Sequence, residues 1–288
     1  MTALADAGAK AEILIEALPY IRRLWGQVIV VKYGGNVMAP GSDGSLDSFA
    51  GDIALMRSVG MRPLVVHGGG PQIGALMARL GKVPEFREGL RVTDAETLDI
   101  ARMVLVGKVN REIVSAVNIH APLAVGLSGE DAGLITASAR DPQLGFVGDV
   151  ADVNPELLRR LLAEELIPVV ATIGSDTEGQ AYNINADTAA GAIAEAVGAS
   201  KLVYLTDIDG LRRDRQDARS LISSIDADSL EPLLADGTVS DGMIPKVRSC
   251  VHAVRHGVGH AHILDGRAAH ALLLEIFTRE GIGTMVSP

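Results

Sequence analysis

The sequence predicts an α/β protein whose mainly parallel sheet is covered by helices on both faces. Short runs rich in β-branched residues alternate with helical patterns along almost the whole chain. Several of these runs are apolar throughout, which is typical of strands buried on both faces. The first two end in glycine clusters, at the edge where open α/β sheets bind ligands. The alternation implies parallel neighbours, and 288 residues are enough for one large domain or two packed lobes.

A helical pattern precedes the first strand. Apolar residues recur on one stripe over residues 11–25, and Gly26 ends the pattern. Pro19 lies within it and is expected to kink or divide the helix. Two alternatives are open for the stripe, because it either packs on its own domain or is exposed and contacts a partner subunit.

The remaining elements follow in alternation. Thr93 and Asp94 are expected to cap a long helix that continues to about Asn118. Strands are predicted at 27–33, 61–67, 123–127, 167–173, 201–206 and 261–264, with hairpins in the region that ends at 153. Further helices are predicted up to about 60, from Pro71 onward, and at 155–165, 186–198, 228–236, 243–257 and 268–277.

Composition and charge exclude several classes of protein. Apolar residues make up 48% and charged residues 22% of the chain, as in ordinary globular proteins. The formal net charge of -10 argues against general nucleic-acid binding, which needs a basic surface. We see no secretory signal and no apolar run of roughly 20 residues, so no membrane partner is expected and a cytoplasmic location is predicted. Cys250 is the single cysteine, which excludes an intrachain disulfide, and we expect it to be a buried residue on a helix.

Two glycine clusters stand where the first two strands end. Gly34 and Gly35 follow the first strand, and residues 68–70 follow the second. Glycine lets backbone amides approach an anion, and a helix that begins there adds a favourable dipole. Each cluster alone could be a tight turn, but two clusters beside a lysine predict a phosphate site. Standard motifs do not fit, because no Gly-x-Gly-x-x-Gly follows a strand and the Walker-like spacing at 74–82 has Val83 where magnesium needs Ser or Thr.

Two lysines stand in unusual places. Lys32 ends a buried strand beside two glycines, where its apolar neighbours cannot solvate an ammonium group. Lys246 lies near the start of a predicted helix, where a cation is unfavourable unless an anion binds. Either residue alone could be an ordinary surface lysine, and the prediction depends on the pair.

Polar residues also surround the start of the helix predicted at 186–198. Asn183 and Asn185 alternate in an extended segment, so they point to the same side. Asn185 can cap the helix, and Asp187 then lies in its first turn. Capping would explain Asn185 alone, whereas Asn183 has no such role. Arg91 precedes a helix cap, and its planar guanidinium suits a carboxylate, with a surface ion pair as the alternative.

Taken in order, these motifs resemble the amino acid kinase family, in particular members that act on N-acetyl-L-glutamate in arginine biosynthesis. Single glycine pieces are unspecific, whereas the ordered set spans about residues 13–286 and is highly specific. The segments that carry the resemblance are 30–36, 65–72, 89–93, 183–187, 205–210 and 242–247.

The resemblance implies a three-layer αβα sandwich with a mainly parallel central sheet and two lobes. It implies an N-terminal helical extension at 1–26, an N-lobe for the acyl amino acid at 27–176 and a C-lobe for ATP at 177–288. One departure is the glycine-rich stretch 38–51, where a helix is expected.

The resemblance also implies a role for each candidate residue. Lys32 and Lys246 would stabilise the transition state, and Asp187 would orient them. The expected contacts to N-acetyl-L-glutamate are Gly69, Gly70, Arg91, Asn183 and Asn185. The expected phosphate contacts are Gly34, Gly35 and Gly68, and the expected nucleotide contacts are Asp207, Gly210 and Leu211. Mg²⁺ is expected to be held mainly by the phosphates of ATP, with no metal ligand from the protein.

The N-terminal extension and the C-terminal segment resemble those of arginine-inhibited members. There the N-terminal helices interlace dimers into a homohexamer, a trimer of dimers, and L-arginine binds beside them as an inhibitor. Lys201, Glu275 and Gly281 are the candidate arginine contacts. Glu275 suits a guanidinium group, its alternative being an ordinary surface residue. A PII-type nitrogen sensor is a further candidate regulator.

Two rival functions stay open from sequence alone. The first is a sibling kinase acting on aminoadipate, aspartate or carbamate, since one methylene in a pocket is worth only about 1–3 kcal/mol. The second is a catalytically inactive arginine sensor. Retention of both lysines and Asp187 argues against the second.

Overall fold

The computed structural model describes residues 2–38, 46–214, 217–235, 243–278 and 281–288. Its strands are β1 (Val28–Tyr33), β2 (Arg62–His67), β3 (Phe86–Arg87), β4 (Leu90–Arg91), β5 (Ala124–Ser128), β6 (Ile135–Ala139), β7 (Val147–Val153), β8 (Ile167–Ala171), β9 (Ile173–Ser175), β10 (Ala181–Ile184), β11 (Lys201–Thr206), β12 (Ser224–Asp226), β13 (His260–Asp265) and β14 (Thr284–Ser287).

Its helices are α1 (Thr2–Leu24), α2 (Leu46–Ser58), α3 (Gly70–Arg79), α4 (Ala95–Arg102), α5 (Asn110–His120), α6 (Glu156–Ala163), α7 (Ala186–Val197), α8 (Ala227–Ala235), α9 (Ile244–Arg255) and α10 (Ala271–Phe277). A π-helical segment, Met103–Val109, joins α4 to α5. Short 3₁₀ turns lie at Asp131–Gly133, Pro142–Leu144 and Ala218–Ser220.

The central sheet contains eight of the described strands in the order β12-β14-β13-β11-β1-β2-β8-β5. Every neighbouring pair is parallel except β13 with β14. β1 lies inside the sheet and pairs with β2 on one side and with β11 on the other. This confirms the predicted α/β class with a mainly parallel sheet.

Apolar side chains cover both faces of this sheet. Along β1, Ile29 and Val31 pack into one core cluster, while Val30 between them packs into a second. All three are 0% exposed. The first cluster contains residues of α2, α5 and α10, and the second contains residues of α6, α7, α8 and α9. The result is the expected three-layer αβα sandwich, and burial on both faces explains why the strands are apolar throughout.

A smaller sheet lies beside the central one. Strands β10, β7, β6 and β9 close on one another, with β6 and β7 as an antiparallel hairpin, as predicted for this region. The single strand predicted at 167–173 is therefore wrong as one element, because Thr172 separates β8 in the central sheet from β9 in the small one. The lobe boundary at 176/177 stays a prediction. β10 follows that boundary but pairs with β7 and β9, which precede it.

Several other elements differ from the prediction. α1 begins at Thr2 rather than near residue 11, and the helix continues through Pro19 without being divided. The predicted helix cap is confirmed, since the Asp94 carboxylate accepts a hydrogen bond from the Thr97 amide. The long helix predicted after it is not α-helical throughout, because the stretch between α4 and α5 is π-helical. Strands β3, β4, β12 and β14 are too short or too polar to give a periodic pattern. In the glycine-rich stretch 38–51, residues 39–45 lie outside the described residues, and α2 begins at Leu46.

The exposed part of α1 carries large apolar side chains. Ile13, Leu14 and Leu18 are 65%, 71% and 45% exposed, whereas Leu24 at the end of the helix is buried. This favours the partner-subunit alternative for the stripe. Cys250 is fully buried on α9, as predicted, and burial raises the pKa of its thiol. Among the described residues, no helix has the length and apolar character needed to cross a membrane.

Candidate active site

The candidate site is a cleft of about 220 Å³ at the carboxyl ends of β1 and β2. Parallel strands bring their carboxyl ends to the same edge of a sheet, which is where ligands bind in open α/β folds. The described residues that line the cleft and were predicted from sequence are Lys32, Gly35, Gly68, Gly69, Gly70, Arg91, Asn183 and Asn185. Residues predicted to contact the substrate are therefore brought together, although positions such as 70 and 183 are far apart in the sequence.

Asp187 lies between the two predicted lysines. Its Oδ1 atom is 2.7 Å from the Nζ of Lys32, and its Oδ2 atom is 3.2 Å from the Nζ of Lys246. The Asp187 and Lys32 side chains are 8% and 10% exposed. Burial raises the pKa of Asp187, but the charges of Lys32 and then Lys246 outweigh it, so the pKa lies below its ordinary value. The carboxylate therefore stays ionised and keeps both ammonium groups within ion-pair distance, with Lys32 lining the cleft.

Helix α7 fixes the position of this carboxylate. Asn185 caps the helix, and its Oδ1 accepts hydrogen bonds from the amides of Asp187 and Thr188 at 2.9 and 3.1 Å. At the other side, Tyr204 Oη and Ser249 Oγ each donate to the Asp187 carbonyl oxygen at 3.1 Å. Ser249 is on α9, one turn after Lys246. The first turn of α7 is thus tied to both β11 and α9.

The two glycine turns contact each other across the cleft. A Cβ on Gly35 would lie 2.9 Å from Cδ of Pro71, and a Cβ on Gly69 would lie 2.8 Å from Cδ2 of Leu105. Glycine is required at Gly35, because the Pro71 ring and the backbone of the second glycine turn leave no room for a side chain. At Gly69 the opposing atoms are the ends of side chains that could shift. The amino ends of α3 and α7 begin beside these turns, since Gly70 opens α3 and Ala186 contacts Gly68. Two helix dipoles and two lysines therefore favour an anion here.

A buried histidine supports the second glycine turn. His67 Nδ1 donates to the carbonyl oxygen of Gly68 at 3.0 Å, and Asn110 Nδ2 donates to His67 Nε2 at 3.1 Å. Burial lowers the pKa of His67 to about 4, so the ring is neutral at physiological pH. Asn110 is 0% exposed and also donates to the carbonyl of Val169 at 2.8 Å. The pair fixes the turn without placing another charge in the cleft.

Arg91 also lines the cleft. Its Nη2 donates to the Gly70 carbonyl at 2.8 Å, and its guanidinium stacks 4.7 Å from the ring centroid of Phe86. Only 9% of the residue is exposed, and burial lowers its pKa. Within the described residues it has no carboxylate partner, so the surface ion pair considered from sequence is not formed. A buried guanidinium without a counter-ion suits a carboxylate ligand.

The predicted nucleotide contacts lie after β11. Asp207 Oδ2 accepts a hydrogen bond from Asn36 Nδ2 at 2.9 Å, which links the end of β11 to the first glycine turn. Gly210 has φ 140° and packs against Thr284, with a would-be Cβ only 2.6 Å from Oγ1. The amide of Leu211 donates to Thr284 Oγ1 at 2.8 Å, and its carbonyl accepts from the Ile222 amide at 2.8 Å. The backbone polar groups of Leu211 are therefore already used, and its nucleotide role stays a prediction.

A second, larger cavity of about 610 Å³ lies between α1, β13 and the C-terminal segment. It contains all three candidate arginine contacts, Lys201, Glu275 and Gly281. A would-be Cβ on Gly281 would lie 2.8 Å from Glu275 Oε2, so the glycine lies directly against this carboxylate. Tyr20 and Arg23 of α1 line the same cavity.

A chain of three buried side chains crosses this second cavity. The ammonium group of Lys201 donates to His262 Nε2 at 2.8 Å, and His262 Nδ1 donates to Glu275 Oε1 at 2.7 Å. The other oxygen of Glu275 accepts from the Ile282 amide at 2.8 Å. Burial, followed by the charge of Arg23, lowers the pKa of Lys201 to about 8. Glu275 is thus a buried, hydrogen-bonded residue, and the alternative of an ordinary surface residue is wrong.

The pattern that defines the amino acid kinase family matches residues 27–265. The chain belongs to the amino acid kinase family. An acetylglutamate kinase of Saccharopolyspora erythraea is 53% identical to this amino acid kinase over 292 residues, covering 99% of this chain and 95% of that protein. An acetylglutamate kinase of Rhodococcus jostii is 50% identical over 301 residues, covering 100% and 96% of the two chains.

Solved structures of related proteins share the fold. The N-acetylglutamate synthase of Neisseria gonorrhoeae, complexed with coenzyme A and N-acetylglutamate, superposes on this amino acid kinase with a TM-score of 0.85 at 29% identity. The superposition covers 96% of this chain and 63% of that one. Carbamate kinase from Giardia lamblia bound to AMP-PNP gives a TM-score of 0.67 at 17% identity, over 91% and 98% of the chains, and so supports the fold alone.

Sequence reasoning missed several supporting residues of this amino acid kinase. They are Asn36, His67, Asn110, Tyr204 and Ser249. Asn36 and His67 belong to motifs whose glycines attracted the prediction. Nothing in the sequence indicated the hydrogen bonds that these two side chains form. Asn110 had one, because it shares the helical stripe of the apolar residues Ile113 and Val117. A polar residue on a buried stripe needs a partner.

Proposed function

We propose that this amino acid kinase catalyses ATP-dependent phosphorylation of the side-chain carboxylate of N-acetyl-L-glutamate, giving N-acetyl-L-glutamyl 5-phosphate in arginine biosynthesis. The observation that carries the proposal is the pair of contacts made by the Asp187 carboxylate beside two glycine turns. Its oxygens lie 2.7 Å from the ammonium nitrogen of Lys32 and 3.2 Å from that of Lys246. Full-length similarity to acetylglutamate kinases supports the choice of acid.

The chemistry requires no proton transfer. A carboxylate oxygen attacks the γ-phosphorus of ATP and forms a new O–P bond, while the bond from that phosphorus to the β–γ bridging oxygen breaks and ADP leaves. The barrier comes from bringing two anions together and from charge on the transferring group. Both contributions to the barrier are lowered by positive charge placed where negative charge accumulates. That charge comes from Lys32, Lys246 and the amides of the glycine turns.

We assign the remaining site residues by their contacts. Arg91, with Asn183 and Asn185, would bind the acid at one end of the cleft, and Asp207 and Gly210 would adjoin the nucleotide at the other. Both oxygens of Asp187 already face lysines, so this carboxylate is not offered to a metal ion. That arrangement supports Mg²⁺ arriving on the phosphates of ATP as part of the substrate. The lobe boundary at 176/177 would then separate acid binding from nucleotide binding.

A direct assay tests the function. The full chain is incubated with MgATP and a panel of N-acetyl-L-glutamate, N-acetyl-L-aspartate, aminoadipate, aspartate and carbamate, each with and without L-arginine. ADP release is followed by coupled oxidation of NADH, and hydroxylamine traps the acyl phosphate. Turnover highest with another acid would replace the proposed substrate. Arginine binding without turnover of any acid would leave an inactive sensor.

Replacement of Arg91 with lysine is expected to raise KM for the acid by about 10- to 100-fold. A hydrogen bond to a charged group contributes about 1.5–3 kcal/mol, and lysine cannot reproduce the bidentate geometry or the stacking on Phe86. The KM for ATP should stay within about twofold, because Arg91 lies on the acid side of the cleft. Initial rates over both substrate concentrations measure the two constants.

The matched control is Arg87→Lys on the neighbouring strand β3. Arg87 pairs with Glu85 at 3.0 Å on the surface, so its replacement should leave both KM values unchanged. An unchanged KM for the acid in the Arg91 variant, or a rise confined to ATP, would contradict the assignment.

We further propose that L-arginine inhibits the enzyme from the second cavity and that α1 joins subunits into a hexamer. The cavity offers Lys201 and Arg23 to a carboxylate and Glu275 to a guanidinium group. α1 contributes both a wall of this cavity and an exposed apolar face. Binding of arginine and packing of α1 would therefore be coupled. Cytoplasmic location and regulation by a PII-type protein stay predictions.

Two variants separate arginine binding from assembly. Deletion of residues 1–25 is expected to give a dimer whose inhibition by arginine is weakened at least tenfold, because Tyr20 and Arg23 leave the cavity. Glu275→Gln should weaken inhibition to a similar extent while the hexamer persists, since the hydrogen-bond partners of Glu275 are His262 and the Ile282 amide rather than residues of α1. Inhibition curves and light-scattering mass measure the two effects.

The two variants also contradict the proposal in different ways. If the truncated chain stays hexameric, α1 is not needed for the contact between subunits. Unchanged arginine inhibition in Glu275→Gln would move the inhibitor to another site, and unchanged inhibition in both would separate it from this cavity altogether.

A further inference from the structure

A second group of side chains that could bind a metal ion lies far from the cleft, at the carboxyl ends of α7 and α9. The two helices pack side by side in parallel, because Asp187 at the start of α7 contacts Lys246 at the start of α9. Near their carboxyl ends, Glu195 of α7 lies 3.5 Å from His252 of α9, measured from Oε2 to Nε2. His256 follows one helical turn after His252.

These three residues bring possible ligand atoms close together at the protein surface. One atom from each of Glu195, His252 and His256 lies within 4.8 Å of the other two, and all three residues are exposed. The two imidazole rings have centroids 3.9 Å apart. Tetrahedral Zn²⁺ with bonds of about 2.1 Å needs ligand atoms about 3.4 Å apart. Exposed side chains reach that spacing by small rotations, without movement of the backbone.

The tautomer of one ligand is already set. His256 Nδ1 lies 2.7 Å from the carbonyl oxygen of His252, and since a carbonyl only accepts, the ring nitrogen is the donor. In the neutral ring the proton is therefore on Nδ1, and Nε2 is the nitrogen that can bind a metal ion. Metal-bound histidines usually donate their second nitrogen to a carbonyl or carboxylate in this way, which fixes the ring and raises its basicity.

The local field also favours a cation. Gly198 caps the carboxyl end of α7 in the left-handed region, and His256 caps the carboxyl end of α9. The negative end of the α9 dipole therefore lies beside the full negative charge of Glu195. The carboxyl end of α7 already has a cation, since Arg159 donates to the Ala196 carbonyl at 2.8 Å. Arg255, the basic neighbour in sequence, is occupied by Glu231 and Asp228 at 2.6 and 2.7 Å.

We propose that Glu195, His252 and His256 form a binding site for Zn²⁺, with water as the fourth ligand. Two imidazoles and one carboxylate are a donor set that suits this ion. The bound ion joins the carboxyl ends of α7 and α9, whose amino ends carry Asp187 and Lys246. It thereby fastens the pair of helices that supports the cleft. The site is independent of the acid that the enzyme phosphorylates.

The test is titration of the full chain with ZnCl₂ after chelator treatment and dialysis, without nucleotide. Calorimetry is expected to give one tight site per chain, and Zn²⁺ should raise the melting temperature. Co²⁺ as a spectroscopic probe should give the intense visible absorption of tetrahedral coordination. His252→Ala and Glu195→Gln should each weaken Zn²⁺ binding by about tenfold or more, and the double variant His252→Ala/His256→Ala should abolish the tight site.

Two controls make the result decisive. His120→Ala removes another exposed histidine beside a carboxylate, 3.2 Å from Asp47, and should leave Zn²⁺ binding unchanged. His260→Ala tests the second cavity, where His260, His262 and Glu275 could bind the ion instead. Absence of tight binding in the unaltered chain overturns the proposal, as does tight binding that survives in the double variant or disappears in His260→Ala. Circular dichroism verifies that each variant is folded.

Discussion

Replacement of Lys32 or Lys246 with alanine is expected to lower kcat by about 10²- to 10³-fold or more. Each ammonium group lies beside Asp187, with the Lys32 and Lys246 side chains 10% and 19% exposed, and one well-placed donor contributes this much to a transition state. KM for the acid should change much less, because the charge that the lysines neutralise develops during phosphoryl transfer. Steady-state rates with N-acetyl-L-glutamate and MgATP measure both constants.

Lys82→Ala is the matched control for both lysine variants. Lys82 also contacts two carboxylates, Asp94 and Glu96 at 2.8 Å, but it does so outside the cleft. Its replacement should leave kcat within about twofold. Near-wild-type kcat in both Lys32→Ala and Lys246→Ala would remove the lysines from the mechanism, whatever acid proves to be the substrate.

Replacement of Asp187 with asparagine is expected to damage both catalysis and stability. Asparagine keeps the shape of the side chain but leaves two ammonium groups without their counter-ion. Breaking a buried ion pair by removing one partner costs about 3–5 kcal/mol, and the partial exposure of Lys246 places the cost toward the lower end. The lysines should also separate by repulsion, so kcat should fall by about 10²-fold or more. Urea denaturation and steady-state kinetics measure the two effects.

The pH dependence distinguishes this role from a merely structural one. The pKa of Asp187 is lower in the folded chain than in the unfolded chain, so the carboxylate contributes stability above its ordinary pKa and loses it as the pH falls through the lowered folded value. The stability difference between wild type and Asp187→Asn should therefore shrink in acid. Asp99→Asn, at an exposed position of α4, is the control and should show no such convergence. A difference that stays constant with pH would contradict the ion-pair explanation.

Much of the fold was predictable because burial leaves a direct trace in the sequence. β1 and β2 are covered on both faces, so every residue from Val28 to Val31 is apolar and the strand is easily recognised. Short strands at the edge leave no such trace. β14 contains four residues, and its pairing with β13 depends on how the chain returns after α10. Periodicity cannot supply that information.

The candidate site divides in the same way. Helix capping by Asn185 and the placement of glycines are local, and both followed from neighbouring residues. The hydrogen bonds of Tyr204 and Ser249 to Asp187 join three segments separated by up to 62 positions, so only the folded chain brings them together. The π-helical segment is a further case, because its Leu105 and Val109 side chains pack against Gly69, a contact that neighbouring residues in the sequence do not indicate.

The position of β1 decides what would follow if the chain were cut at the predicted lobe boundary. A fragment of residues 177–288 would carry β11 with one side unpaired, although all six of its residues are buried in the intact protein. An exposed strand of that kind promotes aggregation. The other fragment would hold β1, and with it Lys32. Addition of that strand to β11 would repair the edge and bring Lys32 to Asp187 in one event. Recovery of activity on mixing the two fragments would therefore report that β1 has paired with β11. The boundary between these two strands is thus a suitable place to divide the enzyme for a split-enzyme sensor.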